Sequence, residues 1–319
     1  MKLRFNLRNL QKFVANIFLI VIVGPTCVGK TDLTIRLAKQ LNAEIISADS
    51  RQFYQELNIG TAKPSIAEMQ GVKHHFINSH SITEYYSAGN FERDVLQLLD
   101  EIFKKSNIAI LTGGSGLFIK AITDGLDEMP EIDLILRENL MQQLDNQGLI
   151  VLVEKLKQLD PAYCETADLQ NTQRVVRALE VCLATGKPFS AFRKKEKTER
   201  NFEIIKIGLE RPREELYERI NQRMDKMLAA GLVNEAKNLL NFRNHNALQT
   251  VGYKEVFEFL DGKINEEEMI FLLKRNTRRY AKRQMTWFKN QAEGEEFTWF
   301  SAADFEEILK FILKNTRSE

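Results

Sequence analysis

The sequence predicts an α/β fold: a parallel-sheet core built around a phosphate-binding loop (P-loop), with an inserted helical domain and a helical C-terminal region. Three observations lead there. The continuous, largely β-branched run Ile17–Val23 (IFLIVIV) feeds straight into Gly24–Thr31 (GPTCVGKT) and then into helical apolar spacing. Further short apolar runs recur with helical segments between them, as parallel strands joined by crossovers require. The stretch from Asp124 to Arg200 is patterned mostly as helix, with Pro130, Pro161 and Pro188 as punctuation.

In chain order, residues 1–16 form a basic N-terminal extension. Lys2, Arg4, Arg8 and Lys12 are basic and no acidic residue precedes Asp32, so the segment reads either as a plain extension or as a targeting segment. Ile17–Val23 reads as a strand buried on both faces. It is far short of the ~20 apolar residues a bilayer span needs, and no small-residue cleavage site precedes the loop, which argues against a secretory signal. Thr31–Leu41 follows as a helix with Leu33, Leu37, Ala38 and Leu41 on one face. Further strands are expected at Glu44–Ala48 (EIISA), Ile108–Leu111 (IAIL) and Phe202–Leu209 (FEIIKIGL). The core is thus expected over 17–123 and 201–319, with the insertion at 124–200 closing on Arg193–Arg200 (RKKEKTER), read as a solvated linker. From Arg213 the pattern is helical to the C-terminus.

Bulk properties bound the function. A chain of 319 residues with 44% hydrophobic and 28% charged residues is an ordinary soluble composition, long enough for two domains or one with an insertion. Cys27, Cys164 and Cys182 are too scattered for a zinc site or a disulfide framework, so a reducing compartment is expected. The net charge of +1 excludes a general polycation; any nucleic-acid binding must come from local clustering.

Gly24-x4-Gly29-Lys30-Thr31 fits a phosphate loop in pattern and in its strand-to-helix setting. The backbone N–H groups of Gly24, Pro25's neighbours Thr26, Cys27 and Val28, and Gly29 would wrap a di- or triphosphate. The following helix adds its positive end, Lys30 a point charge, and Thr31 a hydroxyl for Mg²⁺. The third strand ends in Thr112-Gly113-Gly114 with no acidic residue, which weakly disfavours a motor-type ATPase. Asp49 follows the second strand, at the carboxyl edge where such sheets bind ligands. It reads either as a proton acceptor or as a turn aspartate.

Two basic runs stand out. Lys274–Lys289 (KRNTRRYAKRQMTWFK) carries seven Lys/Arg and no acidic residue. At helical spacing Lys274, Arg278 and Lys282 make one stripe and Arg275, Arg279 and Arg283 its neighbour, a face suited to nucleic-acid phosphates. Tyr280, Trp287 and Phe288 could dock that helix. The run Gln173-Arg174-Val175-Val176-Arg177 reads either as a second contact or as an ordinary amphipathic helix with Val175, Val176, Leu179 and Val181 in a core.

Together the motifs resemble the tRNA dimethylallyltransferase (tRNA isopentenyltransferase) family. The matching segments, in the family's order, are Gly24–Thr31, Asp49–Tyr54 (DSRQFY), Gly60–Pro64 (GTAKP), His74-His75, Tyr86-Ser87, Gly113–Phe118 (GGSGLF), Gln173–Glu180 (QRVVRALE), Thr185–Ser190 (TGKPFS), Gly252–Glu255 (GYKE) and Ala281–Phe288 (AKRQMTWF). The resemblance implies transfer of a dimethylallyl group from its diphosphate to the exocyclic amine of the adenosine beside the tRNA anticodon, position 37. It implies that the loop holds the leaving diphosphate with Mg²⁺, that Thr26 bonds the bridging oxygen, that Asp49 takes the amine proton, and that Arg213 contacts the diphosphate. It also implies tRNA contacts at Asp49, Ser50, Arg51, Gln52, Ser115, Arg137, Gln173, Arg174, Val175, Val176, Arg177 and Lys254, joined by Arg278, Arg279, Lys282 and Arg283 on the basic helix. The target base would be lifted from its stack. A monomer acting in the cytoplasm, off the membrane, is expected; the sequence has no family-type C-terminal zinc finger.

The chain departs from the family pattern at Ser115 and Phe118, where Thr and Tyr are usual, and at Lys73 and Asn78, where Pro and Asp are common. The competing readings are a small-molecule kinase, an isopentenyltransferase acting on free adenine nucleotides, and a nucleotide- or tRNA-binding module without catalysis. A kinase leaves the all-basic helix unexplained, and an enzyme for free nucleotides needs neither the insertion nor Gln173–Arg177; the binding module differs from the family reading in lacking transfer.

Overall fold

A computed structural model describes residues 16–130, 132–193, 197–290 and 297–316. These fall into two compact units: residues up to Thr123 together with Arg200 onward, and Asp124–Glu199. Most of the basic N-terminal extension lies outside the described residues.

The larger unit is built on a parallel sheet of β1 (Phe18–Val23), β2 (Glu44–Ser47), β3 (His74–His75), β4 (Ile108–Gly113), β5 (Glu203–Glu210) and β6 (Thr298–Ser301), in the order β3-β2-β4-β1-β5-β6. The four expected strands are the inner ones. β3 and β6 are additional edge strands of two and four residues, too short to show a period in sequence. Register places Val23 beside Gly113 and Gly208, so β1 and β4 end level at the carboxyl edge, and β5 runs two residues further to pair with β6.

Period-two alternation divides β1 between the two faces. Phe18, Ile20 and Ile22 join Leu33 and Leu37 of α1 (Lys30–Leu41), together with Ile220, Ile308 and Ile312, in one buried cluster. Leu19, Val21 and Val23, on the opposite face, are equally buried. A short α2 (Ile66–Met69) follows β2, and α3 (Ala88–Ile102) packs with α4 (Gly116–Thr123), their Phe91 and Phe118 rings 4.9 Å apart.

The smaller unit packs α5 (Leu134–Gln147), α6 (Leu149–Leu159), α7 (Pro161–Thr166) and α8 (Thr172–Thr185) around Leu140, Leu152, Leu156, Val175, Leu179 and Val181. Asp160 caps α7 through the Tyr163 N–H and also accepts from the Ser190 N–H at 2.7 Å, fastening the chain after α8.

The reading of Arg193–Arg200 as a solvated linker needs correction at its end. The Thr198 N–H donates to Asp124 O at 2.8 Å, closing the smaller unit at its base. Arg200 is buried in the larger unit, donating to the carbonyls of Ala121 and Ile122 and to Glu92. Its guanidinium matches two helix-end carbonyls and a carboxylate at once, which no solvated residue would need.

The C-terminal region is helical: α9 (Arg213–Ala229), α10 (Leu232–Asn238), α11 (Tyr253–Leu260), α12 (Glu266–Lys289) and α13 (Phe305–Asn315). The all-basic run occupies the later part of α12, which opens on Glu266, Glu267 and Glu268, acidic residues suited to the positive end of a helix. Among the described residues no helix is long and apolar enough to cross a membrane.

Candidate active site

The loop after β1 is shaped by its glycines. Gly24 has φ 152°, and a Cβ there would stand 2.7 Å from the Leu209 carbonyl oxygen; Gly29 has φ 114° at the start of α1. Between them Cys27 holds φ 66° with its side chain buried, a conformation that costs a non-glycine residue roughly 1–3 kcal/mol and is kept where the surroundings enforce it.

Lys30 is drawn back over this loop. Its Nζ donates to the carbonyls of Gly24 and Pro25, each at 2.8 Å, which leaves one of its three donors for an anion. Burial pushes its pKa down to about 8; the Asp49 carboxylate acts in the opposite direction and the Arg223 guanidinium adds to the lowering. Lys30, Asp49 and Arg223 therefore share one electrostatic neighbourhood. Thr31 is exposed at the first turn of α1.

Three arginines bond the loop. Arg211 donates from Nε to Val28 O at 2.6 Å, Arg219 to Cys27 O at 2.9 Å, and Arg223 reaches Thr26 Oγ1 at 3.4 Å. Arg213 opens α9 but lies over the Tyr217 ring, 5.1 Å from its centroid. The arginine expected from sequence at the loop is thus placed elsewhere. Arg219 and Arg223, one helical turn apart on α9, present their side chains to the loop, whereas position 213 is nearly three turns before Arg223.

Gln284 of α12 completes the loop. The Thr26 N–H donates to its Oε1 at 2.8 Å, and its Nε2 donates to Gly114 O at 3.0 Å. The glycines after β4 permit this. A Cβ on Gly114 would come within 2.1 Å of Gln284 Nε2, on Gly113 within 2.1 Å of Ala48 O, and on Gly116 within 2.0 Å of Trp287 Nε1. The Gly-Gly loop is therefore a docking seam for β2's end on one side and α12 on the other.

Asp49 sits just past β2, its Oδ1 accepting the Arg51 N–H at 3.0 Å. That is the turn geometry one reading expected, yet the same carboxylate is half-buried and its charge acts on Lys30 and Tyr280. The Tyr280 phenol is pushed upward, first by burial and then by Asp49. Ser50 donates its N–H to Ser115 Oγ at 2.9 Å, and Ser115 Oγ donates to Ser50 Oγ at 3.1 Å. Arg51 donates from one NH to Ser50 O, and its Nε is buried without a bonding partner.

Gln52 faces inward. It accepts from Ser47 Oγ and donates to the carbonyls of Thr61 and Ala62, so its side chain ties the Asp49 loop to the Gly60–Pro64 turn. That turn is held in its own right. Glu235 of α10 accepts the N–H groups of Asn58, Ile59 and Gly60 and the Tyr253 hydroxyl. Lys63 is engaged by Tyr54 O and two asparagine side chains. Lys254 is exposed on α11 beside Tyr253.

The basic helix divides more sharply than its spacing implied. Lys274 pairs with Asp225 and Lys289 with Glu210, while Arg278 donates to Asn221 at 2.7 Å. Arg279, Lys282 and Arg283 are exposed. In the smaller unit, Arg137 and Arg177 both bond Glu180. Val175 and Val176 are buried in that unit's core, which corrects the expectation that the whole run faces RNA. Within it, Gln173, Arg174 and Arg177 keep accessible side chains.

Gln284, Arg219, Arg223 and Tyr280 were not singled out by sequence for this site. Gln284 lies inside the Ala281–Phe288 motif and one turn from Tyr280, the one signal available; Arg219 and Arg223 share only an i, i+4 spacing. No cluster of three or more His, Cys, Asp or Glu that could cage a metal occurs among the described residues.

A parallel sheet whose central strand runs into a glycine loop, with a half-buried lysine and a carboxylate beside it, defines a phosphate-loop protein of the α/β class. A family model described as IPP transferase matches residues 52–291, and the chain belongs to that family. It is 52% identical to the tRNA dimethylallyltransferase of Cytophaga hutchinsonii, over 93% of this chain and 97% of that protein. It is 50% identical to that of Christiangramia forsetii, over 95% and 98%. Among solved structures it is similar to the full-length tRNA isopentenylpyrophosphate transferase of Bacillus halodurans, with a TM-score of 0.69, 38% identity and coverage of 93% and 96%. It is also similar to a eukaryotic dimethylallyltransferase described as acting on tRNA, with a TM-score of 0.74, 28% identity and coverage of 92% and 75%.

Proposed function

We propose that the protein transfers a dimethylallyl group from dimethylallyl diphosphate to the exocyclic amine of the adenosine at tRNA position 37, by direct displacement with diphosphate as leaving group. The observation that carries this is the shared neighbourhood of Lys30 and Asp49, which brings a polyanion cradle and a carboxylate together.

In this reading the amine nitrogen attacks the carbon bonded to the diphosphate. A C–N bond forms, the C–O bond breaks with its electron pair leaving on oxygen, and Asp49 takes the proton shed by the amine. The anchoring of Oδ1 by the Arg51 N–H holds that carboxylate in place. Charge growing on the departing oxygens is met by loop N–H groups and by Lys30. Arg223 donating to Thr26 Oγ1 leaves the Thr26 hydroxyl proton for the bridging oxygen. Arg223 and Arg219, rather than Arg213, are the arginines assigned to this anion site.

The exposed Thr31 hydroxyl suits a Mg²⁺ ion that takes the rest of its shell from diphosphate oxygens and water, which is how Mg²⁺ commonly binds without a carboxylate cage. Bound there, it would neutralise the leaving group. Ser50, Arg51 and Ser115 are assigned to the RNA near the reacting base, and Gln52 to shaping that loop. Arg137, Gln173, Arg174, Arg177, Lys254, Arg279, Lys282 and Arg283 are assigned to its backbone. Every group in this scheme comes from one chain, so a monomer suffices.

The test is incubation with radiolabelled dimethylallyl diphosphate and unmodified tRNA, in parallel with AMP, and with ATP plus small acceptors. Label in tRNA alone is expected. Phosphate transfer from ATP, or label in free AMP alone, would overturn the proposal.

A further inference from the structure

The side chain of Glu180 has no exposed surface. Its neighbours on α8, Val175, Val176, Ala178, Leu179 and Val181, are the apolar core of the smaller unit. An ionised carboxylate in such a place is costly, and an apolar residue of similar volume is often at least as stable. Stability alone therefore gives no reason for a charge at this position.

The partners of Glu180 supply one. Arg137, from α5, donates from Nε to Oε1 at 2.5 Å and from an NH to Oε2 at 3.0 Å; Arg177, from α8, donates to Oε2 at 3.2 Å. The two arginine side chains are 31% and 34% exposed. One buried carboxylate thus fixes the spacing of two guanidinium groups that reach the surface from different helices. We infer that Glu180 is a positioning residue for RNA binding: it holds Arg137 and Arg177 as a preorganised pair whose outer edge takes the phosphate backbone of the substrate RNA. This rests on the RNA-binding role assigned to those two arginines above.

Preorganisation and charge counting predict opposite signs here. The carboxylate cancels one positive charge at a face meant for phosphates, so removing it should tighten binding if net charge alone mattered. If Glu180 acts by positioning, removing it frees two long side chains that must then be ordered on binding, and affinity falls.

The experiment measures equilibrium binding of a synthetic anticodon stem-loop RNA to the full chain, with melting followed by circular dichroism. Glu180→Gln is expected to weaken RNA binding about tenfold, with no change in the KM for dimethylallyl diphosphate. Glu180→Gln combined with Arg137→Ala and Arg177→Ala should bind no more weakly than the double arginine variant, because Glu180 acts only through that pair. A purely structural role would lower the melting temperature and weaken binding further even in the double arginine variant. Should Glu180→Gln fail to fold, Glu180→Asp decides: it keeps the charge but is too short to reach both guanidinium groups, and the same weakening is expected. RNA binding as tight as or tighter than wild type in the folded variant overturns the inference. Failure of the wild-type chain itself to bind the stem-loop would overturn the RNA assignment first, before any substitution is compared.

Discussion

Gln284 and Thr26, 258 residues apart, are joined by a 2.8 Å hydrogen bond from the Thr26 N–H to the Gln284 side chain. An amide of the glycine loop is thereby held by the helix that carries the exposed basic residues Arg279, Lys282 and Arg283. In the proposed scheme, geometry at the leaving group therefore depends on the seating of α12.

Removing this link should loosen the donor site. Gln284→Ala loses both the Thr26 and Gly114 bonds, and the KM for dimethylallyl diphosphate is expected to rise about tenfold, the equivalent of ~1.4 kcal/mol. Gln284→Glu can still accept from Thr26 but cannot donate to Gly114 O, so an intermediate loss is expected. Steady-state kinetics with donor varied at saturating tRNA check both.

Donor binding should depend on pH through Lys30. Its pKa stands at about 8 in the folded chain because burial disfavours the ammonium. The protonated form binds the anion, so affinity is full below pH 8 and declines as pH rises through that value. Binding of diphosphate near pH 8 should take up protons, measurable as a buffer-dependent heat in calorimetry. Lys30→Gln should bind weakly and without this pH dependence.

Identical substitutions at two glycines should have opposite effects. Gly113→Ala drives a Cβ to 2.1 Å from the Ala48 carbonyl, a backbone atom that cannot swing away, and should cost roughly 1–3 kcal/mol. Gly89→Ala, in α3, meets nothing closer than Ser87 Oγ at 3.8 Å and should stabilise by about 0.5–1 kcal/mol through the unfolded chain's entropy. Thermal melts of the two variants decide.

The basic residues of α12 should not contribute equally to RNA binding. Neutralising Arg279, Lys282 and Arg283 together is expected to weaken tRNA binding and to lower the log–log salt slope by roughly 0.7–0.9 for each phosphate left without its cation. Arg278→Gln, whose guanidinium is engaged by Asn221, should leave the slope nearly unchanged.

Much of this was legible before the structure. The strand, loop and helix at Ile17–Leu41 declared themselves because a buried strand and a glycine loop have local signatures. So did the inserted helical segment, because its change of period is local as well. The edge strands β3 and β6 did not, since two and four residues cannot show alternation. The site was half legible. Lys30, at the head of α1, and Asp49 and Ser115, on loops, lie within motifs that are local in sequence. Gln284, Arg219 and Arg223 reach the loop from distant helices, and nothing local separates them from other polar helix residues. The same limit explains the misplacement of Arg213 and the reading of Arg200 as solvated: an arginine's partner is decided by packing across the fold. The alternation that buries Val175 and Val176 was visible, but a motif match runs along sequence and takes no account of which side of a helix faces inward.

The most direct test is single-turnover transfer from a preformed complex of enzyme, labelled dimethylallyl diphosphate and tRNA, comparing wild type with Asp49→Asn. If Asp49 accepts the amine proton, the variant binds tRNA with near-normal affinity and transfers at least about a hundredfold more slowly, as loss of a general base typically costs. Transfer at a rate within a few-fold of wild type would contradict that role and return Asp49 to the turn that its bond to Arg51 already serves.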